Sequence, residues 1–350
     1  MTHLNCTFDS VRINIILKKV EKSNVKLSIN EFVELINYFL ANNQIQKAII
    51  HSIIAISYYP KSYKIKLAEI QVLIEAKMFN ASNKKLKSLY KKHSDDFSLL
   101  MLIATNFIYQ KKLKKSVIFF NKVIKQISIE KADLIYNIAQ IFIDNKYYKL
   151  ALFYLHKALQ ISPKNEDILL DISFCYDRLK NYQKAISIYN QILQINPYSY
   201  FAWLNLGIEF MQIGQYQKAI ECFDFSIAIE PNNASSYFSK SVSLMKIKKY
   251  NQATETLSYL ISIDKKRAIY FYFRSMAYYY QNNFNCAKND LKQCLNIKNN
   301  YHQAWFLLTK VFIKNNNIDK AKKSIKYALL YNKKHRKYKK LAKKIFSKSV

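Results

Sequence analysis

The sequence predicts an all-α protein built from a repeated helical hairpin. The chain of 350 residues is 50% hydrophobic but holds only 2 glycines and 4 prolines, too few for the turns of a β-rich fold. Small residues also recur at a nearly constant interval of 34 positions, the length of two helices joined by a short turn. These observations favour one extended array over two globular domains.

The repeat is marked by a small residue that follows a large apolar residue by three positions. Successive small residues are 34, 34 and 35 positions apart, and then 34 positions apart five times. They are Ala48, Ser82, Ser116, Ala151, Ala185, Ala219, Ala253, Ala287 and Ala321. All four prolines lie twelve positions after one of these residues, where a residue without an N–H ends the second helix. The prolines are Pro60, Pro163, Pro197 and Pro231.

A second position with a small side chain lies twelve residues before the first. Small side chains at both positions predict that the two helices of a hairpin pack closely where they cross. The six later copies carry Ala139, Ser173, Gly207, Ser241, Ser275 and Thr309 there. The earlier copies depart from this pattern, because Ile36 and Ile70 occupy the same position. Neighbouring hairpins must stack in any case, since one hairpin cannot bury its apolar stripe alone.

The spacing gives the boundaries of each element in order. Residues 1–28 are predicted to form a leading helix or cap. Nine repeats follow, at 29–62, 63–96, 97–131, 132–165, 166–199, 200–233, 234–267, 268–301 and 302–335. Residues 336–350 are predicted to form a basic capping helix, because Tyr338, Leu341, Ala342 and Ile345 make one apolar stripe opposite a lysine-rich face.

The stretch from Tyr200 to Asn233 resembles the tetratricopeptide repeat most closely, and the resemblance extends over about nine-tenths of the chain. The residues that carry it are Trp203, Leu206, Gly207, Phe210, Tyr216, Ala219, Phe223 and Pro231. The resemblance implies a right-handed superhelical α-solenoid of stacked helical hairpins. It also implies that the first helix of each repeat lines a concave groove that holds a peptide or a helix.

The groove positions implied by this resemblance give a list of candidate partner-binding residues. They are Tyr136, Asn137, Gln140, Asp171, Phe174, Asp177, Phe201, Leu204, Asn205, Ile208, Phe238, Val242 and Tyr272. This lining is apolar and aromatic, with acids concentrated between residues 132 and 199. The family's carboxylate-gripping basic residues are replaced here by Tyr136, Phe174, Phe201 and Leu204, so we do not expect a carboxylate clamp.

The net charge of +33 admits two interpretations. Phosphates of a nucleic acid or anionic membrane would attract such a chain. However, only 5 of the 56 basic residues are arginines, although the guanidinium group of arginine can form two parallel hydrogen bonds to a phosphate and lysine cannot. The joint enrichment of lysine, asparagine, isoleucine, tyrosine and phenylalanine is what AT-rich codon usage also produces, and such lysines would form a solvated surface.

Catalysis, metal binding and membrane insertion are not expected. The six histidines are scattered, neither an HExxH motif nor a glycine-rich phosphate loop is present, and the five cysteines form no CxxC pair. The longest apolar runs, 48–59 and 99–109, are shorter than the roughly 20 residues that span a bilayer. We therefore expect a cytoplasmic, non-enzymatic protein with no cofactor and no small-molecule substrate.

The function predicted from the sequence is that of a protein–protein interaction scaffold or adaptor. Its groove would hold a peptide or helix of an unidentified partner, with Phe174, Phe201, Phe238 and Tyr272 as anchors. The alternative is an RNA-binding helical repeat protein that uses a lysine-rich convex face and the tail from Lys333 to Lys348. Such nucleic-acid association would be weak and salt-dependent.

Overall fold

The computed structural model describes residues 10–21, 26–126 and 132–347, and it contains twenty α-helices in those ranges. Residues 1–9 and 22–25 of the predicted leading segment and residues 348–350 of the tail lie outside them. The chain divides into two compact units, residues 1–179 (unit 1) and 180–350 (unit 2). Within the described residues every regular element is helical, so the all-α helical-repeat fold class is confirmed.

Unit 1 contains ten helices within the described residues. They are α1 (Ser10–Glu21), α2 (Ile29–Ala41), α3 (Ile45–Tyr58), α4 (Tyr63–Glu75), α5 (Phe79–Tyr90), α6 (Phe97–Tyr109), α7 (Leu113–Lys125), α8 (Ala132–Asp144), α9 (Tyr148–Ile161) and α10 (Glu166–Arg178). Helices α2 to α9 form four consecutive hairpins. The even-numbered helices are the first helices of these hairpins.

Unit 2 contains another ten helices within the described residues. They are α11 (Tyr182–Ile195), α12 (Tyr200–Gln212), α13 (Tyr216–Ile229), α14 (Ala234–Lys246), α15 (Tyr250–Ile263), α16 (Ala268–Tyr280), α17 (Phe284–Ile297), α18 (His302–Lys314), α19 (Ile318–Tyr331) and α20 (Arg336–Ser347). Helices α12 to α19 form four further hairpins, and α20 packs against α19.

Five of the described first helices, α2, α4, α6, α10 and α14, begin with a side-chain cap, whereas the ends of first helices are closed by a backbone turn. Ser28 forms a reciprocal capping box with Glu31, and Asp96 accepts a hydrogen bond of 2.7 Å from the backbone N–H of Leu99. After α12, the N–H of Gln215 donates to the carbonyl of Phe210 and that of Gly214 donates to Met211, as in a Schellman motif. The second helix starts at once from this turn.

The turn requires a left-handed backbone at the same position of each hairpin. In unit 2 this residue is glycine once, at Gly214 with φ of 78°. Elsewhere a lysine or an asparagine takes the same conformation, which costs roughly 1–2 kcal/mol per residue where no glycine relieves it. The non-glycine residues are Asn43, Lys77, Lys111, Lys146, Lys180, Lys248, Asn282 and Asn316.

The two helices of a hairpin cross where one side chain is small and its counterpart is large. At Gly207 an added Cβ would lie 2.5 Å from the ring of Phe223, so glycine is required for this close approach. The equivalent positions of the first hairpin hold Ile36 and Ser52, which are both buried. The large side chain therefore comes from the first helix in that hairpin and from the second helix in the other.

The aromatic slot of the first helices has a structural role in unit 2. Trp203 stacks on Phe225 and Trp305 stacks on Tyr327, each pair with ring centroids 4.5 Å apart. The indole N–H of Trp203 donates to the carbonyl of Pro197 at 2.8 Å, which ties α12 to the preceding turn. These aromatic residues therefore hold hairpins together.

Helix α20 packs through a stripe of Tyr338, Ala342 and Ile345 on the last hairpin of unit 2. Its lysines at 337, 339, 340, 343 and 344 are exposed. Tyr338 stacks on Phe306 with ring centroids 4.4 Å apart and shares a hydrogen bond of 2.8 Å with His302 Nδ1. Among the helices of the described ranges, none combines the length and the apolar character that a bilayer span needs.

Candidate functional site

The first helices of the four hairpins in unit 1 line one cavity of about 350 Å³. Its walls come from α2, α4, α6 and α8, and none of its lining residues belongs to a second helix. Apolar side chains dominate the lining. The lining residues are Val33, Asn37, Lys64, Leu67, Ala68, Gln71, Ile74, Glu75, Phe97, Ser98, Met101, Leu102, Thr105, Leu134, Asn137, Gln140 and Ile141.

Polar side chains recur at one position of these first helices. The ninth residue of each helix is polar, and all four residues contribute to the cavity lining. They are Asn37, Gln71, Thr105 and Gln140. The fifth residues of α2, α4 and α6 are apolar, namely Val33, Leu67 and Met101. The groove thus combines an apolar wall with a row of groups that can form hydrogen bonds.

Glu75 is the carboxylate of this cavity. It is partly buried at the end of α4 and accepts a hydrogen bond of 3.0 Å from the hydroxyl of Tyr109. Burial raises the pKa of Glu75, and the nearby carboxylate of Asp144 raises it further, against the hydrogen bond from Tyr109. Burial and the charge of Glu75 also raise the pKa of Tyr109. Glu75 therefore places a partly buried hydrogen-bond acceptor at this end of the cavity.

Asn37 supplies an acceptor that folding leaves unused. Its Oδ1 atom is buried and has no hydrogen-bond partner among the described residues. A buried amide oxygen without a partner is destabilising by about 1–3 kcal/mol. A donor on a bound molecule would remove this penalty, so Asn37 favours ligands that carry N–H groups.

A second polar network, on α8 and α10, includes three of the sequence-predicted residues. Gln140 donates a hydrogen bond to Asp171, and Tyr136 donates to the same carboxylate. Burial raises the pKa of Asp171, with Asp167 and Asp144 adding to the rise, while the two hydrogen bonds oppose it. The structure therefore brings Tyr136, Gln140 and Asp171 together.

The remaining predicted residues of unit 1 have separate surroundings. Asn137 lines the cavity together with Gln140. Phe174 lies edge-on to Tyr148, with ring centroids 6.1 Å apart, and the guanidinium of Arg178 lies 4.8 Å from its ring. Asp177 forms a long, partly exposed ion pair with Arg178 at 3.9 Å. Phe174 is thus already covered on one side by a cation.

On α12, in unit 2, the predicted residues divide between surface and core. Phe201 is 48% exposed, and Asn205 donates its side-chain N–H to the carbonyl of Phe201 at 2.9 Å. Leu204 is only 7% exposed and belongs to a core cluster with Ala219 and Phe223, against which Ile208 also packs. Leu204 therefore contributes to the hairpin core, and Phe201 is the accessible side chain of this helix.

On α14 and α16 an aromatic cluster includes two predicted anchors. Phe238 contacts Tyr270 and Phe273, with ring centroids 5.6 and 5.1 Å apart, and Tyr272 contacts Phe273 and Tyr301 at 5.7 and 5.0 Å. Both anchors are partly buried, as is Val242 on α14. Burial raises the pKa of Tyr272, which keeps its hydroxyl a neutral donor.

The sequence-based list of binding residues begins only at Tyr136, so it lacks the residues of α2, α4 and α6 that line the cavity. Those helices belong to the most diverged copies, in which Ile36 and Ile70 obscure the repeat. A usable signal exists nevertheless. Steps of 34 or 35 positions back from Gln140 reach Thr105, Gln71 and Asn37 in turn.

The chemistry available here is recognition through apolar contact and hydrogen bonding. Burial raises the pKa of Cys175, Cys222 and Cys294 each to about 12, which disfavours the nucleophilic thiolate. In the parts of the chain that the structure describes, no three His, Cys, Asp or Glu side chains are placed to hold a metal ion.

Comparisons with known proteins bear on the repeat. Residues 142–207 match one family model and residues 200–233 match another, and both describe the tetratricopeptide repeat. No curated protein matches the sequence. One similar solved structure is MamA, with 21% identity and a TM-score of 0.45; the match covers 47% of this chain and 95% of that chain. Another is a tetratricopeptide repeat protein from Parabacteroides merdae, with 19% identity and a TM-score of 0.49; the match covers 71% of this chain and 98% of that chain. A third is YrrB, described as a TPR protein with an unusual peptide-binding site (13% identity, TM-score 0.48, 54% of this chain and 97% of that chain).

The two matched segments overlap and together reach from α8 to the turn after α13. Outside them, in residues 29–126 and 234–331, the same hairpin recurs with its left-handed turn residue. On this evidence residues 142–233 consist of tetratricopeptide repeats, and the other described hairpins share their helical-repeat fold.

Proposed function

We propose that this tetratricopeptide repeat protein is a protein–protein interaction scaffold or adaptor. Its first helices bind an extended peptide or a helix of a partner protein, and no reaction is catalysed. The observation that carries the proposal is the cavity of unit 1, which is lined by α2, α4, α6 and α8. A groove of this volume, apolar with a few fixed polar groups, is of the type that binds ligands.

The aromatic side chains of unit 2 support the same function. Phe201 is exposed, and Phe238 and Tyr272 present partly buried rings within one aromatic cluster. Rigid aromatic side chains give large contact area at low entropic cost, which makes them frequent anchors in interfaces. The proposed partner contacts in unit 2 are therefore Phe201, Phe238 and Tyr272.

We further place this function in the cytoplasm. The support is that Cys175, Cys222, Cys286 and Cys294 are free thiols in the structure. Free thiols persist in compartments that are kept reducing.

Site-specific photo-cross-linking tests the proposal. A benzoylphenylalanine residue is placed at Met101 in the cavity, at Phe201 on α12, or at Ile118 on α7, which is a second helix and is 55% exposed. We expect the Met101 and Phe201 variants to cross-link a defined protein in cells, and the Ile118 control not to do so. Alanine at both Phe201 and Phe238 should lower recovery of the captured protein about tenfold in a chain that stays folded, as followed by circular dichroism.

The outcomes separate the candidate functions. Equal cross-linking from Ile118 and the two groove positions, or none from the groove, would contradict the proposal. Recovery of RNA in place of protein, abolished when residues 333–350 are deleted, would instead support the lysine-rich nucleic-acid alternative.

A further inference from the structure

We infer that the first helices of unit 2 bind a partner segment in which an apolar stretch lies beside aspartate or glutamate residues. The apolar side chains contact α12, α14 and α16, and the carboxylates lie at Lys310 and Lys344. This inference rests on the proposed function, because it names the chemistry of the segment that the first helices hold.

The ninth residue of successive first helices changes from apolar to cationic along unit 2. Residues in this register line the cavity of unit 1. In unit 2 the register holds Ile208 on α12, Val242 on α14 and Met276 on α16, all partly buried, whereas on α18 it holds the partly buried Lys310. Helix α20 packs on α19 in the place of one more first helix, and its ninth residue is Lys344. A segment bound along this row meets an apolar surface first and cations next.

Lys310 is a partly buried cation without a counter-ion among the described residues. Its ammonium group lies 4.9 Å from the centroid of the Phe306 ring. Burial lowers the pKa of Lys310, and the positive charge of Lys337 lowers it further, with no described carboxylate acting in the opposite direction. Tyr338 stacks on Phe306, with ring centroids 4.4 Å apart, so α20 brings Lys337 beside α18. A carboxylate placed here would offset the repulsion between the two lysines.

The helices around Lys310 carry no competing acid. The sequences of α14, α16, α18 and α20 contain neither aspartate nor glutamate. Between residues 291 and 350 the one acid is Asp319, which lies on α19, a second helix. An acidic segment at α18 and α20 is therefore attracted by lysines and is repelled by no carboxylate of these four helices, as complementary interfaces require.

A polypeptide fits this row better than a nucleic-acid backbone does. A nucleic acid carries a phosphate on every nucleotide, so its binding groove has cations along the whole strand. This row instead begins with Ile208, Val242 and Met276. Helices α18 and α20 also contain a single arginine, Arg336, although arginine is the residue that grips a phosphate with two parallel hydrogen bonds. A polypeptide segment that is apolar at one end and acidic at the other satisfies both parts of the row.

Peptide selection tests this chemistry. Random dodecapeptides, fused to a phage coat protein through their carboxyl end and therefore without a free terminal carboxylate, are selected on the full chain and on two variants. The groove variant combines Lys310→Gln with Lys344→Gln. The matched control combines Lys292→Gln on α17 with Lys323→Gln on α19, which are exposed lysines of second helices, so both variants lose the same charge. We expect the wild type and the control to enrich peptides with an acid at a fixed distance from apolar residues, and the groove variant to lose this family.

A selected peptide, synthesised with an amidated carboxyl end, measures the size of the effect by fluorescence anisotropy. It should bind the groove variant about tenfold more weakly than the wild type, and the control about as well as the wild type. If Lys310→Gln does not fold, Lys344→Gln alone keeps the test available, because Lys344 is exposed. Lys310→Glu should bind a peptide with lysine in place of the acid more tightly than the wild type does. A merely structural role of Lys310 would not produce this reversal.

The outcomes separate this inference from the proposed function. Enriched peptides without an acid, or equal loss of acidic peptides in the groove variant and the control, would overturn the inference and leave the proposed function intact. Tighter binding of a poly(U) dodecamer than of the selected peptide, reduced in the groove variant alone, would overturn it in favour of a nucleic acid. If no peptide is enriched, the inference fails, whereas cross-linking from Met101 and Phe201 decides the proposed function separately.

Discussion

At the scale of single residues, Gly207 shows how a hairpin is specified. The ring of Phe223 occupies the space that a Cβ would need, so alanine at this position overpacks the crossing of α12 and α13. Gly207→Ala should lower the free energy of unfolding by about 1–3 kcal/mol, despite the better helix propensity of alanine. Urea denaturation followed by circular dichroism measures the change.

A double mutant provides the control for Gly207. Phe223→Leu, combined with Gly207→Ala, replaces the planar ring at the crossing and should restore part of the lost stability. If Gly207→Ala alone were as stable as the wild type, then the ring would have room to move and the close approach would not limit stability.

At the scale of elements, helix α20 is attached through a titratable side chain, that of His302. Burial lowers the pKa of His302, and the neighbouring His335 lowers it further. Tyr338 of α20 hydrogen-bonds to His302 and stacks on His335, with ring centroids 3.8 Å apart. Burial lowers the pKa of Lys310 on the same helix as His302, and the charge of Lys337 on α20 lowers it further. Neutral His302 is therefore the form that favours docking.

The direction of the pH effect on α20 follows from that lowered pKa. An undocked His302 titrates near its ordinary pKa of about 6.5, whereas the docked residue binds its proton only at lower pH. The stabilisation is complete above about pH 6.5 and is lost as the pH falls through the docked pKa. We expect hydrogen exchange in residues 336–347, corrected for intrinsic rates, to accelerate between pH 7.5 and 5 relative to α12.

His302→Gln is the matched variant for this pH effect. Glutamine retains a polar side chain but does not titrate, so the protection of α20 should change much less with pH. Equal acceleration in both proteins would assign the effect to another group, and no acceleration in the wild type would contradict the role of His302.

At the scale of the whole molecule, the charge of +33 opposes folding by self-repulsion. Salt weakens both the repulsion between exposed lysines and the attraction within ion pairs. The described ion pairs are few and mostly exposed, so the loss of repulsion should dominate. Raising NaCl from 20 to about 200 mM should stabilise the protein by about 1 kcal/mol, or about 2–4 °C in midpoint for units of this size. Thermal unfolding at several salt concentrations measures this. A falling midpoint would mean that attractive pairs outweigh the net repulsion.

The repeated architecture was predictable because its signals are local. Proline spacing and the small residues near Ala219 depend on one hairpin at a time, so the all-α helical-repeat class follows from the sequence. The candidate site was harder to predict from the sequence. Whether a glutamate is neutralised depends on which lysine reaches it in the folded chain, as Lys85 reaches Glu69. Likewise, only the packed structure shows that the Oδ1 atom of Asn37 is buried without a hydrogen-bond partner among the described residues.

In the first hairpin the large residue, Ile36, is on the first helix and the small one, Ser52, is on the second. In the hairpin of α12 and α13 the order is reversed, with Gly207 on the first helix and Phe223 on the second. This difference limits how the gene could be rearranged. A duplication or exchange that breaks within a hairpin could join a first helix carrying isoleucine to a second helix carrying phenylalanine. The resulting crossing would be overfilled, whereas the reciprocal product would contain a void. Recombination that moves both helices together avoids both defects. The unit that can be exchanged without disturbing packing is therefore the pair of helices. Chimaeras of this protein should have their junctions between hairpins and not within one.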